Sequence, residues 1–436
     1  MRLIRLLKND LAKEISGWVE KDLISTEQAR SICRLYDVDY DSIQNYSLGY
    51  RLLIGLGYLF IGLAVITLLG ANWDEIPRAL RMGGLLMLTL MTHGLAFKSY
   101  LTGRTSSAVG LFLLGNLFYG ASIILIAQIY HLGEHMPDGI FWWALGSLPF
   151  GVLLKNSWLT LFSSLLAMLW FVLEFGMGFF PSLFPLFIVV SVYVLYKGPF
   201  SSILFLTTVA SIGLWIEAVL SAVWAGERYD YTIHMEHLLV SVALFVWAYA
   251  VSGWLYAQSS HKAKDYGVLL SLWALRFGLV ALFVFSFEGP WETLIESNWD
   301  QQRSMWLCVI VLLTASLWFA WQGRILQLLL PVAVFASLSM MAVVATEDRS
   351  AAVYFQIVYN IALIGTGIGL IVRGIHQGIS HYFFLGVATI LLTAFMRYID
   401  LIGDYIGGAI MFMVLAAVLL CAAKYWKTHQ GQGGTP

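Results

Sequence analysis

Between residues 52 and 423 the chain is a succession of long apolar runs separated by short polar breaks. A helix needs about 20 mostly apolar residues to cross a bilayer core, and only helices or closed barrels satisfy their own backbone there. Fourteen runs approach or reach that length: 52–70, 79–97, 106–129, 139–154, 157–175, 180–196, 200–222, 237–256, 266–287, 304–321, 325–344, 351–372, 378–396 and 405–423. The fourth and sixth are short, and Pro181 lets 157–175 and 180–196 be read alternatively as one hairpin dipping into the membrane. The expected fold is an all-α polytopic membrane protein with fourteen transmembrane helices. Composition agrees, with 59% hydrophobic and 12% charged residues, against roughly 45–50% and about 25% in soluble domains. So little charge weighs against a soluble enzyme, a disordered chain and a nucleic-acid binder. The cysteines Cys33, Cys308 and Cys421 lie far apart, without metal or disulfide spacing.

The loops test this count. With the N-terminus in the cytoplasm and alternating spans, the inner loops hold ten basic residues, Arg324 and Arg373 among them, against one acid, Asp265. The outer loops hold sixteen acids against six bases. That is the positive-inside pattern, and one missed helix would invert every later loop. It predicts an even count with both termini inside.

Three segments are expected: a cytoplasmic helical hairpin over 1–50, a transmembrane bundle over 51–424 and a cytoplasmic tail over 425–436. The opening residues lack the apolar core of a signal peptide, so no cleavage is expected. Leu7, Leu11, Ile15, Trp18 and Val19 recur at helical spacing. Ser25 with Gln28 three residues on has the form of a capping box, and Ile32, Leu35 and Tyr36 give the second helix an apolar stripe. The hairpin packs under the first spans or receives a cytoplasmic partner.

Four stretches carry a family resemblance. They are Trp18 with Asp22-Leu23-Ile24-Ser25 and Glu27-Gln28-Ala29, then Ala71-Asn72-Trp73, Ala127-Gln128-Ile129-Tyr130-His131, and Arg397-Tyr398-Ile399-Asp400. In this order they resemble the bacterial predicted membrane proteins grouped as domain of unknown function 2157. The opening and first four spans match best, and the middle matches only in hydropathy. The resemblance implies a bacterial inner-membrane protein and brings no catalytic residues with it.

The polar residues of these stretches fall at outer helix ends. Asn72, Asp74, Gln128, His131, Arg397 and Asp400 are therefore the candidate ligand-binding set, converging on an outward-facing pocket. Arg397 and Asp400 share a face if their helix continues. The alternative is ordinary helix ends, with Asn72 and Asp74 capping and Trp73 in the interfacial belt. His131 and Asp400 are the proton-accepting groups if transport is proton-coupled. Deeper, Arg276 sits near the middle of span nine, where a charge costs about 2.5–3.5 kcal/mol or more. It should face the bundle interior, with Glu217 as the carboxylate to meet it. His93, Gln356 and Asn360 read as interhelical hydrogen-bond partners.

Other patterns carry less. His131 and His135 with Glu134, and His234 with His237, resemble ligand spacings, but Gly133 and Pro137 interrupt the helix the first pair requires. No metal site is assigned. Gly365-x-Gly367-x-Gly369 lies within a span with no preceding strand, so it marks close helix packing rather than a phosphate loop. No cofactor is expected. Asn72-Trp73-Asp74 recurs as Asn298-Trp299-Asp300, which is a slender trace of a duplication.

Three functions stay open. The first is a transporter or a lipid- or small-ligand-handling protein with its polar site near the extracytoplasmic face, favouring cations or a cationic headgroup. The second is a membrane-embedded transferase using Asp74 and Glu75 on a lipid-linked substrate. The short outer loops speak against an enzyme. The third is a non-catalytic scaffold or sensor. The partners implied are the bilayer, a lipid or small polar ligand, and a cytoplasmic partner of the hairpin.

Overall fold

The structure is a computed structural model that describes residues 8–35, 77–130, 135–225, 236–297 and 303–401, with isolated positions outside them. Among the described residues there are fifteen α-helices and no strand. Helices α1 (Lys8–Glu20) and α2 (Thr26–Leu35) form the N-terminal hairpin. The capping box is present in both directions. Gln28 Oε1 accepts from the Ser25 amide at 2.9 Å, and Ser25 Oγ accepts from the Gln28 amide at 3.2 Å. Ile15, Ala29 and Cys33 are buried between the two helices, with Trp18, Val19, Ile24 and Ile32 around them. Asp22 takes a left-handed backbone, φ 56°, to turn the chain.

Among the described residues, ten helices are long and apolar enough to cross a membrane. They are α3 (Arg78–Leu101), α4 (Thr105–Tyr130), α6 (Ser157–Gly176), α8 (Ser202–Ala225), α9 (His237–Ala257), α10 (His261–Val284), α12 (Arg303–Gln322), α13 (Leu326–Val344), α14 (Ala352–Gln377) and α15 (Ser380–Leu401). Helices α5 (Met136–Leu154), which carries Pro149, and α7 (Phe184–Lys197), only 14 residues long, fall outside that group. They occupy the fourth and sixth runs, the two read as short. The eight-residue α11 (Glu288–Ile295) was not expected. Its short mixed sequence carries too few turns for a period to show. The runs 52–70 and 405–423 and the tail 425–436 lie largely or wholly outside the described residues.

The chain divides into two compact units, Met1–Thr232 with Gln258–Leu269, and Ile233–Ala257 with Leu270–Pro436. In the first, α3 pairs with α4, α5 with α6, and α7 and α8 pack on α6. Leu80, Met87 and Leu90 of α3 are 66%, 64% and 73% exposed, a face suited to acyl chains and not to water. Inward faces rely on small and hydroxyl residues. A side chain at Gly120 would strike the Trp143 ring and one at Gly146 the Tyr119 ring. Ser163 Oγ donates to the Ala144 carbonyl at 2.7 Å, and the Ser164 and Ser191 hydroxyls meet at 2.9 Å. His93 Nε2 lies 3.2 Å from Asn116 Oδ1, the interhelical bond expected of it. Lys155 turns the chain in a left-handed conformation, and Asn156 then caps α6 by accepting from the Trp158 and Leu159 amides.

In the second unit α14 pairs with α15 and α9 with α12, while α11 packs on α14. Trp291 is 1% exposed. It stacks on Phe355 and donates through Nε1 to the Phe285 carbonyl at 2.6 Å. Asn360 Nδ2 donates to the Ser286 carbonyl at 2.9 Å, so this residue also joins two segments. Of the glycine run, Gly367 faces the backbone of Gly386 and the Ile390 side chain, whereas Gly365 and Gly369 meet nothing within 4 Å. One glycine of the three serves close packing.

Candidate functional site

The first unit brings three polar side chains together where two helix ends meet, the start of α5 and the end of α6. His135 is the residue before α5, whose early proline cannot extend the helix backwards and leaves His135 extended, φ −132°. Asp138 lies in the first turn of α5, near the positive end of its dipole. Glu174 lies in the last turn of α6, which ends at Gly176. There the dipole disfavours a carboxylate unless a cation or a donor stands beside it.

His135 supplies that donor. Its Nε2 is 2.8 Å from Glu174 Oε2, and a carboxylate can only accept, so the imidazole donates. The two side chains are 23% and 13% exposed, which separates this contact from a solvated surface pair. The Phe179 ring meets His135 edge-on at 4.7 Å and closes one side. Asp138 is exposed and leaves the other side open. One donor atom from each of His135, Asp138 and Glu174 falls within a 4.8 Å span. One imidazole and two carboxylates so placed are a donor set for a divalent first-row cation, with open positions for water or an exchanging ligand.

None of these three was in the sequence-derived ligand set. His135 was considered only with His131 and Glu134, its neighbours along the chain, while its partner Glu174 is 39 residues away. The positive-inside reading counted Glu134, Asp138 and Glu174 among its sixteen outer acids without singling them out.

The expected ligand residues are spread over both units. Asn72, Asp74 and His131 lie outside the described residues, and so do Asn72-Trp73-Asp74 as a repeat and most of its counterpart. Gln128 is exposed in the last turn of α4, in the first unit. Arg397 belongs to the second unit, where its guanidinium lies 4.7 Å over the Phe287 ring. Helix α15 continues through position 400, so Arg397 and Asp400 occupy one unbroken helix, although the Asp400 side chain is outside the described set. Glu217 is on α8 in the first unit and Arg276 on α10 in the second. Arg276 rests on the Trp273 ring, 5.1 Å to its centre.

Of the four stretches that carry the family resemblance, three lie within residues 16–160 and Arg397-Tyr398-Ile399-Asp400 lies beyond them. Residues 16–160 match the family model described as predicted membrane protein (DUF2157). The matched segment holds His135 and Asp138, and Glu174 lies beyond it. No curated protein and no solved structure matches the chain. This is a membrane protein with many apolar helices.

Proposed function

We propose that the protein binds a divalent cation at the mouth formed by His135, Asp138 and Glu174 and passes it into or across the membrane. The observation that carries this reading is the 2.8 Å His135–Glu174 contact with Asp138 beside it, three donors within 4.8 Å at one end of the helices. A carboxylate at a helix C-terminus beside a second carboxylate is a position that a cation stabilises. The acidic balance of the loops on that side adds long-range attraction. Imidazole coordinates through an unprotonated ring nitrogen, so cation binding at Nε2 replaces the bond to Glu174 and places the ring proton on Nδ1.

The setting we infer is the bacterial inner membrane with both termini in the cytoplasm, which puts this mouth on the outer side. In this reading α5, α7 and the sequence runs 52–70 and 405–423 join the ten helices long enough to cross, for fourteen crossings.

Calorimetric titration of the purified full chain with Zn²⁺ tests the site. A saturable event in wild type, lost in Asp138→Asn and Glu174→Gln, is expected. Asp138 is the informative position, because an exposed side chain can be changed without disturbing packing. No saturable Zn²⁺ binding, or equal binding in both variants, would overturn the proposal.

A further inference from the structure

A second polar cluster lies in the second unit and carries the opposite charge. Helices α10, α14 and α15 pack around Leu279, Leu363 and Leu370, with Leu275 and Tyr382 against them. Arg276 follows Leu275 directly and precedes Leu279 by one turn, so it borders this core. Arg373 is one turn beyond Leu370 on α14, and its guanidinium lies over the Tyr382 ring at 5.5 Å. His381, next in the chain to Tyr382, has its ring 5.8 Å from that of Tyr382. Arg276 acts electrostatically on His381, so the three groups share one neighbourhood.

The hairpin that holds them is tight. Gly378 closes it with φ 65°, and a side chain at Gly374 would meet the Phe383 backbone nitrogen at 2.6 Å. This backbone approach fixes Arg373 against the first turn of α15, whose free amide groups carry partial positive charge.

Among the described residues, no acid forms an ion pair with Arg276, Arg373 or His381. Arg349 pairs with Glu292 and Glu296 at the far end of α14 from Arg373. Arg373 Nε and His381 Nε2 are buried and meet no hydrogen-bond partner among the described residues. Both arginines turn a face to an aromatic ring, which leaves their N–H edges free to donate. Buried donors without acceptors and two unbalanced guanidiniums between apolar helices are a recognition surface for an anion.

We infer that Arg276, Arg373 and His381 form a binding site for a phosphate group, set between α10, α14 and the start of α15. A planar guanidinium matches phosphate oxygens through paired donors, and basic pockets between membrane helices take up phospholipid headgroups in this way. The phosphate belongs either to an anionic phospholipid or to a free anion. This site does not depend on the cation mouth of the first unit.

The test uses the full chain, delipidated in detergent, in two arms read by native mass spectrometry and thermal unfolding. One arm offers phosphatidylglycerol against phosphatidylcholine, and the other inorganic phosphate. A headgroup site retains phosphatidylglycerol selectively, with binding about tenfold weaker in each of Arg276→Gln and Arg373→Gln. A free-anion site shows protection of wild type by inorganic phosphate, lost in the same variants. If either glutamine variant fails to fold, Arg373→Lys keeps the charge without the paired donors and should show intermediate binding. Wild type that neither distinguishes the two lipids nor responds to phosphate would overturn the inference, as would variants that bind like wild type.

Discussion

Glu174→Gln separates a structural tie from a cation site. The substitution keeps the shape and an acceptor oxygen for His135 but removes the charge. A hydrogen bond to a charged group contributes about 1.5–3 kcal/mol, and charge-assisted bonds are about twice as strong as neutral ones. Losing the charge at this 2.8 Å contact therefore costs about 1 kcal/mol. Against that, relieving a carboxylate at the C-terminal end of α6 returns about 0.3–1 kcal/mol. Without added cation the variant should unfold within about 1 kcal/mol of wild type. Zn²⁺ at about a hundred times its dissociation constant stabilises a binding protein by about 2.7 kcal/mol. Wild type gains this and the variant does not, so the gap opens to about 3 kcal/mol. Unfolding in mixed micelles, followed by tryptophan fluorescence with and without Zn²⁺, reads both gaps. An equal Zn²⁺ response in the two proteins would refute the reasoning, and a large gap already present without Zn²⁺ would make the contact purely structural.

The hinge between α14 and α15 should be intolerant at one glycine and tolerant at another. Gly374→Ala drives a methyl group into the Phe383 backbone and should cost about 1–3 kcal/mol, whereas Gly365→Ala meets open space and should be neutral or slightly stabilising, by thermal unfolding of both variants. Ser25→Ala removes the Oγ acceptor of the Gln28 amide while its own backbone amide still donates to Gln28 Oε1, and should loosen α2 by about 0.5–2 kcal/mol, seen as faster amide exchange over 26–35 with exchange in α3 unchanged. The Arg349 guanidinium bonded to Glu292 at 3.1 Å holds that carboxyl below its ordinary value. Its contribution to holding α11 is therefore complete above the unfolded carboxylate range, about pH 4.3, and is lost as pH falls through the lowered folded value. Protection of the 288–296 amides relative to free-chain exchange should fall on acidification in wild type and be less pH-dependent in Glu292→Gln.

Run length was enough to place the ten described helices that can cross a membrane, because burial in lipid leaves each of them long and continuously apolar. The capping box at Ser25 and the interhelical roles of His93 and Asn360 were legible for a related reason: each residue type has few ways to satisfy itself where it sits. The short α11 was not legible, since its stability comes from Trp291 packing on Phe285 and Phe355 rather than from its own eight residues. The glycine run was half legible. Its letters mark a helix that can approach a neighbour, but only the azimuth of α14 decides that Gly367 is the one that does. The cation mouth failed on distance along the chain. His135 and Glu174 are ordinary residues at two helix ends, and the α5–α6 pairing alone makes them neighbours. The basic cluster was seen as Arg276 by itself, because Arg373 was counted as an inner-loop charge and His381, inside the run 378–396, was not singled out until the α14–α15 turn sets both near Arg276.

The central claim is that a cation enters at His135, Asp138 and Glu174, and flux through the reconstituted protein tests it most directly. Full-length wild type and Glu174→Gln would be inserted into liposomes that hold a zinc-sensitive dye, and Zn²⁺ would be added outside. The account predicts a dye response in wild-type vesicles that is lost in the variant at equal protein content. A wild-type response no greater than that of protein-free liposomes, or an undiminished response in the variant, would contradict it.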